Sequence, residues 1–464
     1  LEVKDMERYE ADIVVVGGGP GGYVASIKAA QEGMKVVCVE KEALLGGTCL
    51  RVGCIPTKAL LETSLRFYEA KKVFHEHGIA FGDISIDLKK AMKRKERIVN
   101  TLAGGISQLF KKNKITRLKG QAKIISPSEV VIDEGTVVQA RHILIATGSK
   151  PAGLPFAKFG KRINTSDEAL AYEECPKHLV VIGAGAVGLE LAMIWNRLGA
   201  KVTVLEVMDR ILLGFDLDMT KKALKAFEAQ GIEIRLGAKV LAVHEDDEKA
   251  LVEVEGQESI QCDRVLVGVG RAPNTDGLGC EEVGITKDKK GFIVVVKGYK
   301  TNVGGIFAVG DVIGGLMLAH KAMEEGVMCI NGLLGKFAEL NYDAIPRICY
   351  TEPEVASVGK TEEELKAENR EYKVGRFPFR ANGRAHTMGY IDGEVKVLAD
   401  AKSDKLLGMH MVGPRASELI ALGGMALEFG ASSEDIAMLC EPHPTLEEAI
   451  KEACLAVASK TIHL

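Results

Sequence analysis

Twice along this chain an apolar run opens directly into a G-x-G-x-x-G turn, and each time an acid follows at the same distance. In the first copy residues 12–16 (DIVVV) read as a buried parallel strand. They lead into Gly17-x-Gly19-x-x-Gly22, a helix over 21–31, and a strand over 35–39 that ends in Glu40. In the second, a strand over 179–182 leads into Gly183-x-Gly185-x-x-Gly188, a helix to 198, and a strand over 201–205 that ends in Glu206. The acid stands 23 positions after the first glycine in both copies. One glycine-rich turn is a weak signal. Two, each between a strand and a helix and each with the same spacing to an acid, commit the chain to parallel sheets flanked by helices.

The chemistry explains the spacing. The first glycine makes a tight turn, the second lets backbone approach a pyrophosphate, and the third lets helix and strand pack closely. The helix amino end attracts phosphate, and the acid accepts hydrogen bonds from ribose hydroxyls. Two copies predict two dinucleotides on two α/β domains. Glu206 would repel a 2′-phosphate, so the second site favours NAD. Arg210, four residues on, reads as a solvated surface residue.

The remaining texture bounds the answer. With 464 residues and 47% hydrophobic content the chain can bury large cores in two to four domains. A net charge of -4 argues against a nucleic-acid footprint. No apolar run approaches the length of a membrane helix. The chain opens on Leu1 with charged residues and no signal-peptide pattern, and Met6 is a candidate start. Ten cysteines in such a chain predict a reducing compartment. Residues 145–149 (IATGS), 264–271 and 305–311 read as further strand exits, and Asp311 falls where ligands sit in parallel sheets. Alternation between 110 and 145 predicts a small antiparallel sheet. From about 346, strands at EVKVLAD and LLGMHMVG and helices near 415–430 and 445–459 predict a separate α+β domain.

Cys49 and Cys54 lie in GGTCLRVGCIPTK. On an ideal helix residues five apart have Cα atoms about 8–9 Å apart, beyond the roughly 7 Å limit for a disulfide. A bridge would need a distorted backbone, which Gly53 and Pro56 can supply. The alternative is two unrelated small hydrophobes. The other eight cysteines (38, 175, 262, 280, 329, 349, 440 and 454) lack metal spacing and read as buried fillers. His75 and His77, flanking Glu76, read as a solvated helix end.

Taken in order, GGGPGG, GGTCLRVGCIPTK, ATGS, GAGAVGLE, GVGRAPN, FAVGD, MLAHKA and PHPTLEE make the chain resemble the pyridine nucleotide-disulfide oxidoreductases over nearly its whole length. The resemblance implies two Rossmann-like dinucleotide-binding domains plus an α+β dimerisation domain. The expected boundaries are 1–150 for the first part of an FAD domain, 151–271 for an NAD domain, 272–346 for the FAD-domain return and 347–464 for the interface domain. It implies FAD on Gly17, Gly19, Gly22, Glu40, Lys41, Gly47, Thr48, Lys58, Ala122, Thr147, Gly148, Ser149, Asp311 and the segment Met317, Leu318, Ala319 and His320. It implies NAD on Gly183, Gly185, Gly188, Glu206, Val240 and Gly270, with Glu190 pairing Lys58 beside the flavin. Cys49 would be the interchange thiol and Cys54 the thiol against the flavin. His443 would be the base, oriented by Glu448.

Among the family's activities, the resemblance points to oxidation of protein-bound dihydrolipoamide with reduction of NAD. Implied partners are a second copy of the chain and the lipoyl domains of 2-oxo-acid dehydrogenase complexes, or the H protein of the glycine cleavage system. The implied setting is cytoplasmic, or the mitochondrial matrix in a eukaryote. A related reductase for another disulfide or acceptor is the alternative. Two departures stand out: Glu441 replaces a histidine often found two positions before the base, and Ala122 replaces a glycine near the FAD adenine.

Overall fold

The computed structural model describes residues 7–133 and 135–464, so Leu1 and Met6 lie outside the described residues. The chain forms two compact units. The first comprises 1–60, 89–152 and 270–340, and the second 61–88, 153–269 and 341–464.

The first unit is built on a seven-stranded sheet. Strand Glu7–Val16 lies at its centre, with Val36–Glu40 parallel on one side and Thr136–Ile145 parallel on the other. Strand Thr116–Lys119 continues the parallel set beyond Val36–Glu40, and Ile306–Ala308 joins Thr136–Ile145. Chain order therefore reverses between Glu7–Val16 and Thr136–Ile145, the crevice where such sheets take ligands. The antiparallel sheet expected within 110–145 does not stand alone. Strands Ala122–Ser126 and Glu129–Ile132 are the antiparallel flank of the same sheet, because Thr136–Ile145 is long enough to serve both.

Helices Pro20–Gln31 and Ala319–Leu333 pack closely on one another. A Cβ at Gly326 would stand 2.7 Å from the Gly21 carbonyl oxygen, so both helices need bare backbone at the crossing. Helix Leu88–Lys112 turns Ala91, Lys95, Val99, Ala103, Ile106 and Phe110 inward. That spacing of three and four is the apolar stripe of an amphipathic helix.

The second unit holds a five-stranded parallel sheet in the order Ile232–Arg235, Lys201–Leu205, His178–Ile182, Arg264–Val267, Ile163–Asn164. A three-stranded antiparallel sheet, Val240–Glu245, Ala250–Val254 and Ile260–Cys262, accompanies it. Residues 347–413 form a five-stranded antiparallel sheet, with Glu354–Gly359, Leu406–Gly413 and Glu394–Asp400 side by side. Helices Ala416–Phe429 and Glu448–Val457 complete its core. This is the α+β texture expected from about 346.

Candidate active site

Each glycine-rich turn is closed by the same two backbone approaches. Gly17 has φ +106°, and a Cβ there would lie 2.3 Å from the Ala146 carbonyl oxygen. Gly183 has φ +105°, and its Cβ would lie 2.5 Å from the Gly268 carbonyl oxygen. The third glycines are tighter still: a Cβ at Gly22 would stand 1.8 Å from Gly17 O, and one at Gly188 2.2 Å from Gly183 O. No other residue fits either position. A Cβ at Gly185, by contrast, would meet no described protein atom within 4 Å, which leaves the turn open to a pyrophosphate. Helices Pro20–Gln31 and Ala186–Leu198 begin at these turns without a side-chain cap, so their first N–H groups point at the same place.

The two acids match as closely. Glu40 Oε2 accepts from Gly18 N–H at 2.8 Å and its Oε1 from Glu42 N–H at 2.9 Å. Glu206 Oε2 accepts from Ala184 N–H at 2.7 Å and its Oε1 from Met208 N–H at 2.9 Å. Each carboxylate is anchored by two backbone donors and keeps lone pairs for ribose hydroxyls. These residues fit dinucleotides at both turns.

Around the first crevice, Gly148 exits strand Thr136–Ile145 with φ +68°. Thr147 Oγ1 donates to the Asn274 carbonyl at 2.7 Å. Ser149 Oγ donates to Asp311 Oδ2 at 2.5 Å, and Arg271 Nε donates to the same Ser149 oxygen at 2.6 Å. Asp311 sits in the turn Gly310–Ile313, where Gly310 N–H is held by Glu325 Oε2 at 2.8 Å. Glu325 is fully buried and paired with Lys321 at 3.0 Å. Sequence reasoning missed Arg271, Lys321 and Glu325. The i,i+4 spacing of Lys321 and Glu325 was the available signal. Met317, Leu318, Ala319 and His320 form the entry to helix Ala319–Leu333. Lys41 is exposed beyond Glu40, whereas the Ala122 side chain is buried in the sheet core. Any ligand contact at Ala122 is through its backbone.

The cysteine segment is tied to the first turn. Gly46 N–H donates to Gly18 O at 2.8 Å, and a Cβ on Gly47 would reach Gly19 Cα at 2.5 Å. Cys49 and the half-buried Thr48 lie on helix Gly47–Val52, and Cys54 is the first residue of helix Cys54–Lys72. Gly53 breaks the helix between them, with φ -139° and ψ -115°. A side chain at Gly53 would press on the Thr48 carbonyl, since its Cβ would be 2.9 Å from that oxygen. Pro56 sits in the first turn of helix Cys54–Lys72, where a proline is tolerated.

Both cysteines are thiols in this structure, and their side chains share a hydrogen bond. That bond, then burial, pushes the Cys49 thiol far above its ordinary value, while the charge of Lys58 works the other way. Cys54 stands at the amino end of its helix, where the unsatisfied N–H groups favour negative charge. The other cysteines differ. Burial pushes Cys38, Cys262, Cys329 and Cys454 up to about 12. Cys440 departs from the buried-filler reading, because it is exposed. Among the described residues no group of three or more His, Cys, Asp or Glu is placed to hold a metal.

In the second unit, Glu190 is buried on helix Ala186–Leu198 and its Oε1 accepts from Tyr350 N–H at 2.9 Å. Val240 is a core residue of its strand, and Gly270, in the first unit, has φ +121° beside strand Arg271–Pro273. His443 stands in the loop before helix Glu448–Val457, with Nδ1 2.9 Å from Glu448 Oε1. Glu448 Oε2 accepts from Thr445 N–H at 2.9 Å. Burial works to raise the Glu448 carboxyl, but the Thr445 N–H and the His443 ring together hold it below the ordinary value. A carboxylate only accepts, so Nδ1 carries the hydrogen and Nε2 presents its lone pair outward. The His443 side chain is 78% exposed. Burial raises the Glu441 carboxyl, and Glu447 adds to the effect.

Comparison with known proteins agrees with this geometry. The family model described as pyridine nucleotide-disulphide oxidoreductase matches residues 11–326, and the model for that family's dimerisation domain matches 345–454. A mitochondrial dihydrolipoyl dehydrogenase of Pisum sativum is 48% identical, covering 98% of this chain and 93% of that protein. The dihydrolipoyl dehydrogenase of Cupriavidus necator is 46% identical, covering 98% and 99%. The structure of LpdA from Mycobacterium tuberculosis superposes with a TM-score of 0.88 at 26% identity, covering 97% and 99%. Two glycine-rich turns with matched acids, a cysteine pair across a broken helix and a loop histidine held by the first residue of the last helix thus stand on a chain that belongs to the pyridine nucleotide-disulphide oxidoreductase family.

Proposed function

We propose that the chain is a dihydrolipoyl dehydrogenase, oxidising protein-bound dihydrolipoamide to lipoamide while NAD⁺ becomes NADH. The observation that carries this is the cysteine pair across Gly53, on a chain 46–48% identical to dihydrolipoyl dehydrogenases over nearly its full length. FAD, bound along Gly17–Gly22 and Glu40, supplies the two-electron relay between the cysteine pair and NAD⁺.

The protein's own residues do the rest. In the oxidised enzyme Cys49 and Cys54 form a disulfide. A substrate thiol, its proton taken by His443 Nε2, attacks Cys49, and the sulfur–sulfur bond breaks with Cys54 leaving as thiolate. The second substrate thiol attacks the mixed disulfide and closes the lipoamide ring, and Cys49 leaves as the thiol with that second proton. His443 as general base contributes about 10²–10⁴ in rate. Lys58 would stand beside the flavin. Thr147, Gly148, Ser149, Asp311 and residues 317–320 line its site, and Gly183–Gly188, Glu206, Val240 and Gly270 that of NAD.

The domain roles follow. Segment 1–150 with its return over 272–346 binds FAD, 151–271 binds NAD, and 347–464 makes a two-fold interface. Lipoyl domains of 2-oxo-acid dehydrogenase complexes, or the H protein of the glycine cleavage system, deliver the substrate. The setting is the cytoplasm, or the mitochondrial matrix in a eukaryote. Among the described residues no helix is long and apolar enough to cross a membrane. Steady-state rates test the reading. Turnover with dihydrolipoamide and NAD⁺ should far exceed turnover with glutathione disulfide and NADPH, and the reverse order would overturn it.

A further inference from the structure

One helical turn separates two carboxylates that each hold an imidazole. Glu448 opens helix Glu448–Val457 and holds His443. Glu452 is four residues on, so the two side chains leave the same face with Cβ atoms about 5–6 Å apart. Glu452 Oε1 lies 2.7 Å from His463 Nδ1. Its Oε2 accepts from Ile462 N–H at 2.9 Å and from His463 N–H at 3.4 Å. One carboxylate thus fixes both the backbone and the ring at 463. Glu452 is the buried partner, with its side chain 7% exposed against 70% for His463. The charge of His463 also reaches Glu448, where it acts in the same direction as His443.

We propose that His463 is a positioning residue for the reaction above: clamped by Glu452 one turn from the His443–Glu448 pair, it sets how readily His443 takes the substrate proton. The inference rests on the reading of His443 as the base. When His463 is cationic, it neutralises Glu452. Without a cation at 463, the Glu452 charge one helical turn from Glu448 is uncompensated and adds to the attraction for a cation at His443. Glu441, Glu447 and Glu448 add negative charge to the same neighbourhood, and Lys451 adds positive charge. His463 is therefore a counterweight to a cluster of acids.

The test is the pH dependence of kcat/KM for dihydrolipoamide, measured on the FAD-loaded dimer at low ionic strength. In His463→Asn the acid limb should move to higher pH by about 0.3–0.5 unit, the size expected for charges roughly 8–10 Å apart near a surface. His463→Lys, which keeps a cation at the site, should hold the limb at or below the wild-type position. The shift in His463→Asn should shrink in about 0.5 M salt. The His443 ring titration, followed by NMR without turnover, should move in step. A His463→Asn limb and ring titration that coincide with wild type, even at a lower overall rate, would overturn the proposal and leave 463 a structural anchor. Failure of the base reading would show differently, as near wild-type turnover by His443→Gln.

Discussion

Glu448 Oε1 lies 2.9 Å from His443 Nδ1, and this contact decides which ring nitrogen keeps its lone pair free. The carboxylate stabilises the imidazolium that forms when Nε2 takes a proton. Glu448→Gln keeps the shape but loses the charge. It should lower kcat/KM by about 10–100-fold, part of the general-base contribution. It should also move the acid limb to lower pH, because an uncharged amide stabilises the imidazolium less. An unchanged rate and limb would remove Glu448 from the mechanism.

The broken helix at Gly53 predicts different fates for the two sulfurs. Cys54→Ser should retain FAD but lose any long-wavelength thiolate–flavin band on two-electron reduction. Cys49→Ser should show that band without reductant, since the Cys54 thiolate has no bridge partner. Both variants should lose dihydrolipoamide oxidation. Near wild-type oxidation by either would rule out the disulfide route.

Glu206 is anchored as Glu40 is, by one N–H inside its turn and one just beyond. It is therefore pre-oriented to accept from ribose hydroxyls and to repel a 2′-phosphate. Each effect is worth about 1–3 kcal/mol. Glu206→Ala should cut catalytic efficiency with NAD⁺ by roughly 10–100-fold and narrow the gap to NADP⁺. Equal wild-type efficiency with the two nucleotides would contradict the assignment.

A buried ion cluster predicts acid sensitivity. Lys396, fully buried, has Nζ within 2.8 Å of Asp216, 2.9 Å of Asp218 and 2.6 Å of Glu362. Burial works to raise the Glu362 carboxyl, but its bonds to Lys366 and Lys396 hold it at about 2. Its folded value lies below the ordinary 4.5, so its stabilisation is present above pH 4.5 and is lost as pH falls toward about 2. Lys396→Met strands Asp216, also fully buried, and should cost about 3–5 kcal/mol. Adding Asp216→Asn should recover much of that. Denaturant melts of the single and double variants check it, and equal losses would show that the charge is not the cause.

The two nucleotide turns were legible because each signal fits within one short, contiguous stretch and backbone sterics leave no alternative to glycine. Helix Leu88–Lys112 was not read, although its inward positions recur at three and four. Its Lys- and Arg-rich texture and the pair Gly104-Gly105 look like a helix breaker, at about 1 kcal/mol per glycine. Tertiary burial of Phe110 and Ile106 outweighs that cost. The Lys396 cluster was invisible for another reason: Asp216, Glu362 and Lys396 come together only when helix Leu217–Ala229 meets the antiparallel sheet. Glu452 reads as one more helix acid until the fold brings His463 back to it.

Exposure of His443 leads to the last prediction. His443, proposed above as the base, is 78% exposed in its own chain, as a residue of a shared site would be. The dimerisation-domain match over 345–454 places it in the region that pairs two copies. In a two-fold dimer, each site would take its cysteines from one chain and His443 from the partner. Cys49→Ser and His443→Gln should each be inactive as homodimers. In a mixed dimer of the two, one site would carry both lesions and the other neither. The purified hybrid should then recover about half of wild-type activity, by symmetry. If each site used one chain alone, both sites of the hybrid would stay broken. Hybrids with no recovered turnover, but with FAD bound and a dimeric mass, would rule out the shared site.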